Sequence, residues 1–126
     1  MAGAGAAGGV GFAAIALLDA TLRPGIELVL DLVGFHDQLP GAALVVTGEG
    51  SLDEQTLHGK APAGVADAAR AAGIPVVAVC GRTTLDPAQL REAGLLATYC
   101  LNELELDLQA APLLERLGER IATEHL

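Results

Sequence analysis

From Ala43 the chain runs apolar through Leu44, Val45 and Val46 to Thr47, then turns polar and glycine-punctuated. Such an unbroken run predicts a strand, Ala43 to Thr47, buried on both faces. Ile74 to Cys80 has the same character, and Leu95 to Cys100 predicts a third, weaker strand. Between the strands the signals are helical. Pro62 to Ala72 predicts a helix, with Pro62 at the first position, where its missing N–H is not needed, and Gly73 just past the end. Asp86 and Pro87 read as N-cap and first residue of a short helix. Asn102 or Glu103 starts a short turn. Leu113, Leu114, Leu117 and Ile121 stripe a last helix, Pro112 to Thr123. Ahead of Pro40-Gly41, Phe12 to Ala20 predicts a short helix with Phe12, Ile15 and Ala16 on one side. Ile26 to Leu39 predicts a longer one. Ile26, Val29, Leu30 and Val33 mark one face of it, and Leu28, Leu32 and Phe35 make much of the remainder apolar. A helix so patterned is buried on more than one side or lies at an interface. Its residual polar face carries Glu27 and Asp31, four apart, either as solvated acids or as a metal pair.

Strands alternating with helices predict an α/β fold: a parallel sheet of about three strands with right-handed crossovers and flanking helices, in a three-layer, Rossmann-like arrangement. At 126 residues the chain is one domain by length, with residues 1–40 forming a Gly-rich start and two helices, and residues 41–126 the alternating segment. Hydrophobic residues at 52% make it globular, and aromatics at 2% leave the core to Ala, Val, Leu and Ile. The formal charge of −9 argues against nucleic acid or an anionic membrane as partner. No segment is long and apolar enough to span a bilayer, and the Gly-Ala start lacks the features of a signal peptide, so a cytoplasmic location is expected. Cys80 and Cys100, at predicted strand ends, are expected to be reduced, buried thiols.

Chemistry concentrates in residues 47–62. This loop follows a strand and feeds a helix, the edge at which α/β sheets bind ligands. It holds Glu49, Asp53, His58 and Lys60, and Lys60 is the only lysine in the chain. Free N–H groups and a positive dipole end at a helix start suit an anion. Phosphoryl transfer is one chemistry such a loop can serve. Lys60 can neutralise phosphate oxygens, Glu49 or Asp53 can hold Mg²⁺, and Asp53 can instead accept the proton of an attacking hydroxyl. Thr56 and His58 can hydrogen-bond a substrate. The spacing is not that of a Walker A loop, since Ala61 follows Lys60. The plainer alternative is a decorated turn, with Asp53 capping a local helical turn and His58 at the surface. At the amino end, Gly3, Gly5 and Gly8 match a dinucleotide-binding spacing but lack the preceding strand it needs. There Gly8 and Gly9 either open a helix with close backbone approach to a phosphate or belong to a simple Ala-rich helix start.

The run Thr47-Gly-Glu-Gly-Ser-Leu-Asp-Glu-Gln-Thr-Leu-His-Gly-Lys-Ala-Pro-Ala-Gly-Val-Ala66 resembles the signature of bacterial type I glycerate kinases. So do Gly3-Ala-Gly-Ala-Ala-Gly-Gly-Val-Gly11 and Leu22-Arg-Pro-Gly-Ile-Glu-Leu-Val-Leu-Asp31, in the same order and over essentially the whole chain. The resemblance implies phosphorylation of D-glycerate with ATP and Mg²⁺ by an enzyme of two α/β domains with the active site in the cleft between them. Family members are longer and begin with a strand and an Asp-Ser-Phe-Lys-type loop, so the chain is expected to be the C-terminal part of such a kinase. Glu49, Asp53, Thr56, His58, Gly59 and Lys60 are then expected on the active-site loop. Asp53 and Lys60 are the candidate catalytic pair, and Glu49 and Asp53 the candidate metal ligands. Gly8, Gly9, Gly48, Gly50, Ser51, Thr56, His58 and Gly59 are the candidate substrate or phosphate contacts. The alternative function is a non-catalytic α/β module that binds a nucleotide or phosphate and pairs with another chain. Either way the chain is expected to self-associate or to pair with the N-terminal part, with Val29, Val33 or Phe35 at the interface.

Overall fold

The computed structural model describes residues 5–58, 60–103 and 110–126. Three helices lead in: α1 (Val10–Leu18), α2 (Gly25–Leu32) and α3 (Phe35–Gln38). The chain then alternates as β1 (Val45–Leu52), α4 (Ala61–Ala71), β2 (Val76–Thr83), α5 (Pro87–Glu92), β3 (Ala97–Cys100) and α6 (Ala110–His125). The strands are parallel, in the order β1-β2-β3, with Val45 opposite Val76 and Val77 opposite Ala97. The α/β class and the three strands are as expected from the pattern.

Because side chains alternate across a strand, the sheet divides its apolar residues between two cores. On one face Val45, Val76, Ala78, Cys80 and Cys100 pack with Ala66 and Ala69 of α4 and with Leu85 and Leu95. On the other, Val77 and Tyr99 meet Leu117 and Ile121 of α6. Helices therefore cover both faces, giving three layers. Tyr99 also fixes the end of α6: its hydroxyl donates to Glu124 Oε2 at 2.7 Å and lies 2.6 Å from His125 Nε2, and the Arg120 guanidinium sits 5.1 Å from the ring centre. Burial, reinforced by Glu124, pushes this phenol up to about 12. Cys80 and Cys100 are buried and in register, their sulfurs 3.0 Å apart as thiols, in keeping with the expected placement.

Two expectations change. β1 and β2 both run beyond the point where their sequences turn polar. β1 continues through Gly48, Glu49, Gly50 and Ser51 to Leu52, and β2 through Gly81 and Arg82 to Thr83. Each supplies the other's backbone partners, so pairing overrides the loop-like composition. The second change is in the long helix expected from Ile26 to Leu39. It breaks at Gly34, which takes φ 63°, a left-handed conformation that glycine adopts without a Cβ penalty. Of its expected apolar face Leu30 is buried, whereas Val29 and Val33 are 51% and 64% exposed. Phe35, now on α3, packs against the larger core. α1 buries none of its residues, and Phe12 and Leu17 are open to solvent. A further apolar groove of about 730 Å³, lined in part by Val46, Leu114 and Leu126, runs beside β1. Among the described residues no helix is long and apolar enough to cross a membrane.

The extended pairing depends on glycine. A Cβ on Gly81 would stand 2.7 Å from the Gly50 carbonyl oxygen, closer than real Cβ contacts come. Gly118, inside α6, has no such neighbour within 4 Å. Gly81→Ala should therefore destabilise the fold by about 1–3 kcal/mol through overpacking. Gly118→Ala should stabilise it by about 0.5–1 kcal/mol through helix propensity. Thermal melts of the two variants check the opposite signs.

Candidate active site

The site forms where β1 ends and α4 begins. Glu49 and Ser51 lie near the end of β1, and Glu49 meets Thr56 and the Lys60 side chain at the start of α4. After Leu52 the chain turns at Asp53 into a single 3-10 turn, Thr56–His58. Asp53 makes that turn: its Oδ1 accepts the amide N–H groups of Gln55 at 2.9 Å and Thr56 at 3.2 Å, and its carbonyl accepts the Thr56 N–H at 2.9 Å. The plainer reading of Asp53 as a local cap is thus part of the structure. Capping uses one carboxylate oxygen and leaves Oδ2 without a hydrogen bond among the described residues.

Thr56 ties the turn to the strand. It is 3% exposed; its hydroxyl accepts the Asp53 N–H at 3.1 Å and donates to Glu49 Oε2 at 3.1 Å. The hydroxyl's proton and one of its two lone pairs are thus used inside the loop, and they fix the two acids relative to one another.

Lys60 is the N-cap residue of α4, with extended backbone and no side-chain capping bond. Its ammonium is left to the acids: Nζ lies 3.7 Å from Glu49 Oε1 and 3.5 Å from Asp53 Oδ1. Ala61 is the first helical residue, with Pro62 next and buried. Partial desolvation draws the Asp53 carboxyl upward. The Lys60 charge and the Thr56 and Gln55 amides outweigh it and hold the group below its ordinary value. With its folded pKa depressed, Asp53 contributes stability above its unfolded value and loses that contribution as pH falls through the folded one. It is an anion at neutral pH.

The remaining candidates are placed as follows. Gly48, Gly50 and Ser51 lie within β1 rather than in a loop, so the polar connection spans residues 53–60. Gly48 serves strand packing, since a Cβ there would come within 2.9 Å of the Val79 carbonyl oxygen. Gly59 and Gly3 lie outside the described residues, as does the side chain of His58. Gly8 and Gly9 are left-handed, at φ 66° and 95°, and Gly9 caps α1. No hydrogen bond or ion pair among the described residues joins that turn to the cluster. Arg82, not selected from the sequence, reaches the same edge: its Nε is 3.4 Å from Ser51 Oγ. Its position after the apolar run of β2, beside a glycine, was the available signal.

Among the described residues no group of three or more His, Cys, Asp or Glu side chains gathers as a metal site. What is gathered is a pair of carboxylates around one cation, at the carboxyl edge of a parallel sheet and beside a helix start. A family model described as the glycerate kinase family matches residues 1–125. The chain belongs to the glycerate kinase family. It is 46% identical over 109 residues to a glycerate kinase of Bacillus cereus, covering 86% of this chain and 29% of that protein. Identity is 44% over 125 residues to a glycerate kinase of Halalkalibacterium halodurans, covering 95% and 33%. A glycerate 2-kinase of Escherichia coli is 41% identical over 97 residues, covering 77% and 26%. The crystal structure of a protein assigned as glycerate kinase 2 from Salmonella typhimurium LT2 superposes with a TM-score of 0.61 at 44% identity, covering 79% of this chain and 25% of that one. The chain thus spans about a third or less of the length of these relatives.

In this glycerate kinase family chain, Thr56→Val keeps the shape of the side chain and removes both loop bonds. It should cost about 1–3 kcal/mol, because the Asp53 amide loses its acceptor and Glu49 its donor. Thr56→Ser should retain most of that stability. Urea unfolding of the two variants measures the difference.

Proposed function

We propose that this chain supplies the C-terminal part of an ATP-dependent glycerate kinase acting in the cytoplasm, and that Glu49, Asp53 and Lys60 handle the transferred phosphoryl group. The observation that carries this reading is the single lysine, its ammonium between two carboxylates at the end of β1 and the start of α4, in a member of the glycerate kinase family. Phosphoryl transfer asks for positioning and charge neutralisation more than for covalent chemistry. Lys60, aided by the free N–H groups opening α4, meets the phosphate oxygens. Asp53 stays ionised and offers Oδ2 to the acceptor hydroxyl, holding it and taking its proton as the phosphoryl group arrives. Ser51, His58 and Gly59 stand as candidates for glycerate contact, and Gly8 and Gly9 for phosphate contact. The Escherichia coli relative's name directs the proposal to the 2-hydroxyl of D-glycerate.

Mg²⁺ fits the donor set: it uses one or two carboxylates and fills its remaining positions with water and substrate phosphates. Glu49 would hold it, with Asp53 as second ligand in the alternative where Asp53 is not the base, and it would supply further neutralisation of the phosphoryl oxygens. The alternative, a module that binds without turnover, is favoured by one observation: apolar side chains of α1 and α2, with the groove beside β1, lack cover. The kinase reading assigns that cover to the remaining part of the protein or, failing it, to a second copy of this chain.

A coupled ATP-consumption assay with D-glycerate, run on this chain alone and with the remaining part supplied, should give turnover at least in the second case, with 2-phosphoglycerate as product. Asp53→Asn and Lys60→Ala should each lower that turnover by about 10²–10³ while the fold is kept, as read by circular dichroism. Unaltered turnover in either variant removes that residue from the catalytic pair. Light scattering on this chain alone at micromolar concentration should report a dimer or larger, and a stable monomer would contradict the assigned cover.

A further inference from the structure

We infer that Arg82 is the anchor for the carboxylate of the acid substrate. The inference rests on the kinase reading above and adds the group that selects an acid over a neutral polyol. It begins with register. Arg82 lies opposite Ser51 across β1 and β2, and parallel partners point to the same face. Glu49 is two residues before Ser51 on that face, so the Glu49 and Arg82 Cα atoms are about 8 Å apart from strand geometry. The arginine therefore rises from the same edge of the sheet as the Glu49–Asp53–Lys60 cluster.

Its bonding leaves it open to an anion. Nε is held toward Ser51 Oγ at 3.4 Å, which steers the guanidinium over the end of β1. Among the described residues no carboxylate pairs with it, in a chain with sixteen acids and seven Lys and Arg. Arg23, Arg70 and Arg120 each have an acid partner within 2.9 Å. Arg91 and Arg116 also lack an acid partner among the described residues, but Arg91 lines a groove with Gly73 and Pro75 at the opposite end of the sheet and Arg116 lies on α6. Among the described residues the exposed Arg82 side chain thus carries no acid partner, at the edge where a lysine and two acids also gather.

The two cations differ in what they suit. An ammonium is a compact point charge that serves phosphoryl oxygens, whereas a guanidinium is a planar fork that matches a carboxylate through two parallel bonds. A short hydroxy acid held by Arg82 at its carboxylate would extend its hydroxyls along the edge of β1, toward Asp53 and Lys60. Arg82 would then set substrate choice without taking part in the transfer itself.

The test uses Arg82→Ala and Arg82→Lys in the form of the protein that turns over, with D-glycerate binding measured separately by calorimetry. Loss of a charge-assisted pair should raise KM and Kd for D-glycerate about tenfold to a hundredfold in Arg82→Ala. KM for ATP and the melting temperature should be unchanged. Arg82→Lys should recover only part of the loss, since lysine cannot form the fork. Unchanged KM and Kd for D-glycerate in Arg82→Ala overturn the inference, as does a rise in KM for ATP instead, which would put Arg82 on the nucleotide. Wild-type protein that binds D-glycerate without consuming ATP defeats the kinase reading, and the binding comparison then decides Arg82 by itself. Wild-type protein that neither binds nor turns over D-glycerate overturns both.

Discussion

One ammonium group facing two carboxylates organises the candidate site of this molecule. Lys60 stands within 4 Å of both Glu49 and Asp53, and the three come from different local structures: a strand, a turn and a helix cap. None of these contacts is strong by itself. The groups are partly exposed, and exposed ion pairs contribute little to stability. Their value lies in placement. Thr56 fixes Asp53 to Glu49 from beneath, the turn fixes Asp53 to its own amides, and α4 sets where the lysine starts. The result is a charged cluster arranged before any ligand arrives, the condition under which electrostatic catalysis costs no reorganisation.

The sheet makes that placement possible. β1 and β2 stay paired past the end of their apolar runs, so Glu49 and Ser51 are carried on a strand rather than a mobile loop. Gly48 and Gly81 permit it by bringing backbones closer than a side chain would allow. Sites built on regular elements hold their geometry better than sites on loops. The same pairing brings Arg82 to the edge, 31 residues from Ser51 in sequence.

Much of this was legible in the residues. The start of α4, the N-cap at Asp86 and the stripe of α6 follow local rules, and the structure agrees within a residue or two. At Asp86 the local signal is complete: its side chain accepts from the amides of Ala88 and Gln89, and Gln89 returns a bond to the Asp86 amide. What was not legible depends on partners far along the chain. Gly-Glu-Gly-Ser reads as a turn until a second strand is laid beside it. The break at Gly34 was visible as a glycine, but the apolar period runs on through it and masks the left-handed residue. The candidate cluster was found because its members are close in sequence. Arg82 could not be grouped with it from the sequence because it is close only in space, and the burial of Thr56 depends on how the turn folds back.

The central claim is that Lys60 couples electrostatically to the two acids, Asp53 above all. The direct measurement is an NMR pH titration of the Asp53 carboxyl in the wild-type chain and in Lys60→Met. The account predicts a wild-type value below the ordinary carboxylate range that rises when the ammonium is removed. Identical titration curves in the two proteins would mean that Lys60 does not act on Asp53, and the arrangement proposed for phosphoryl transfer would lose its basis.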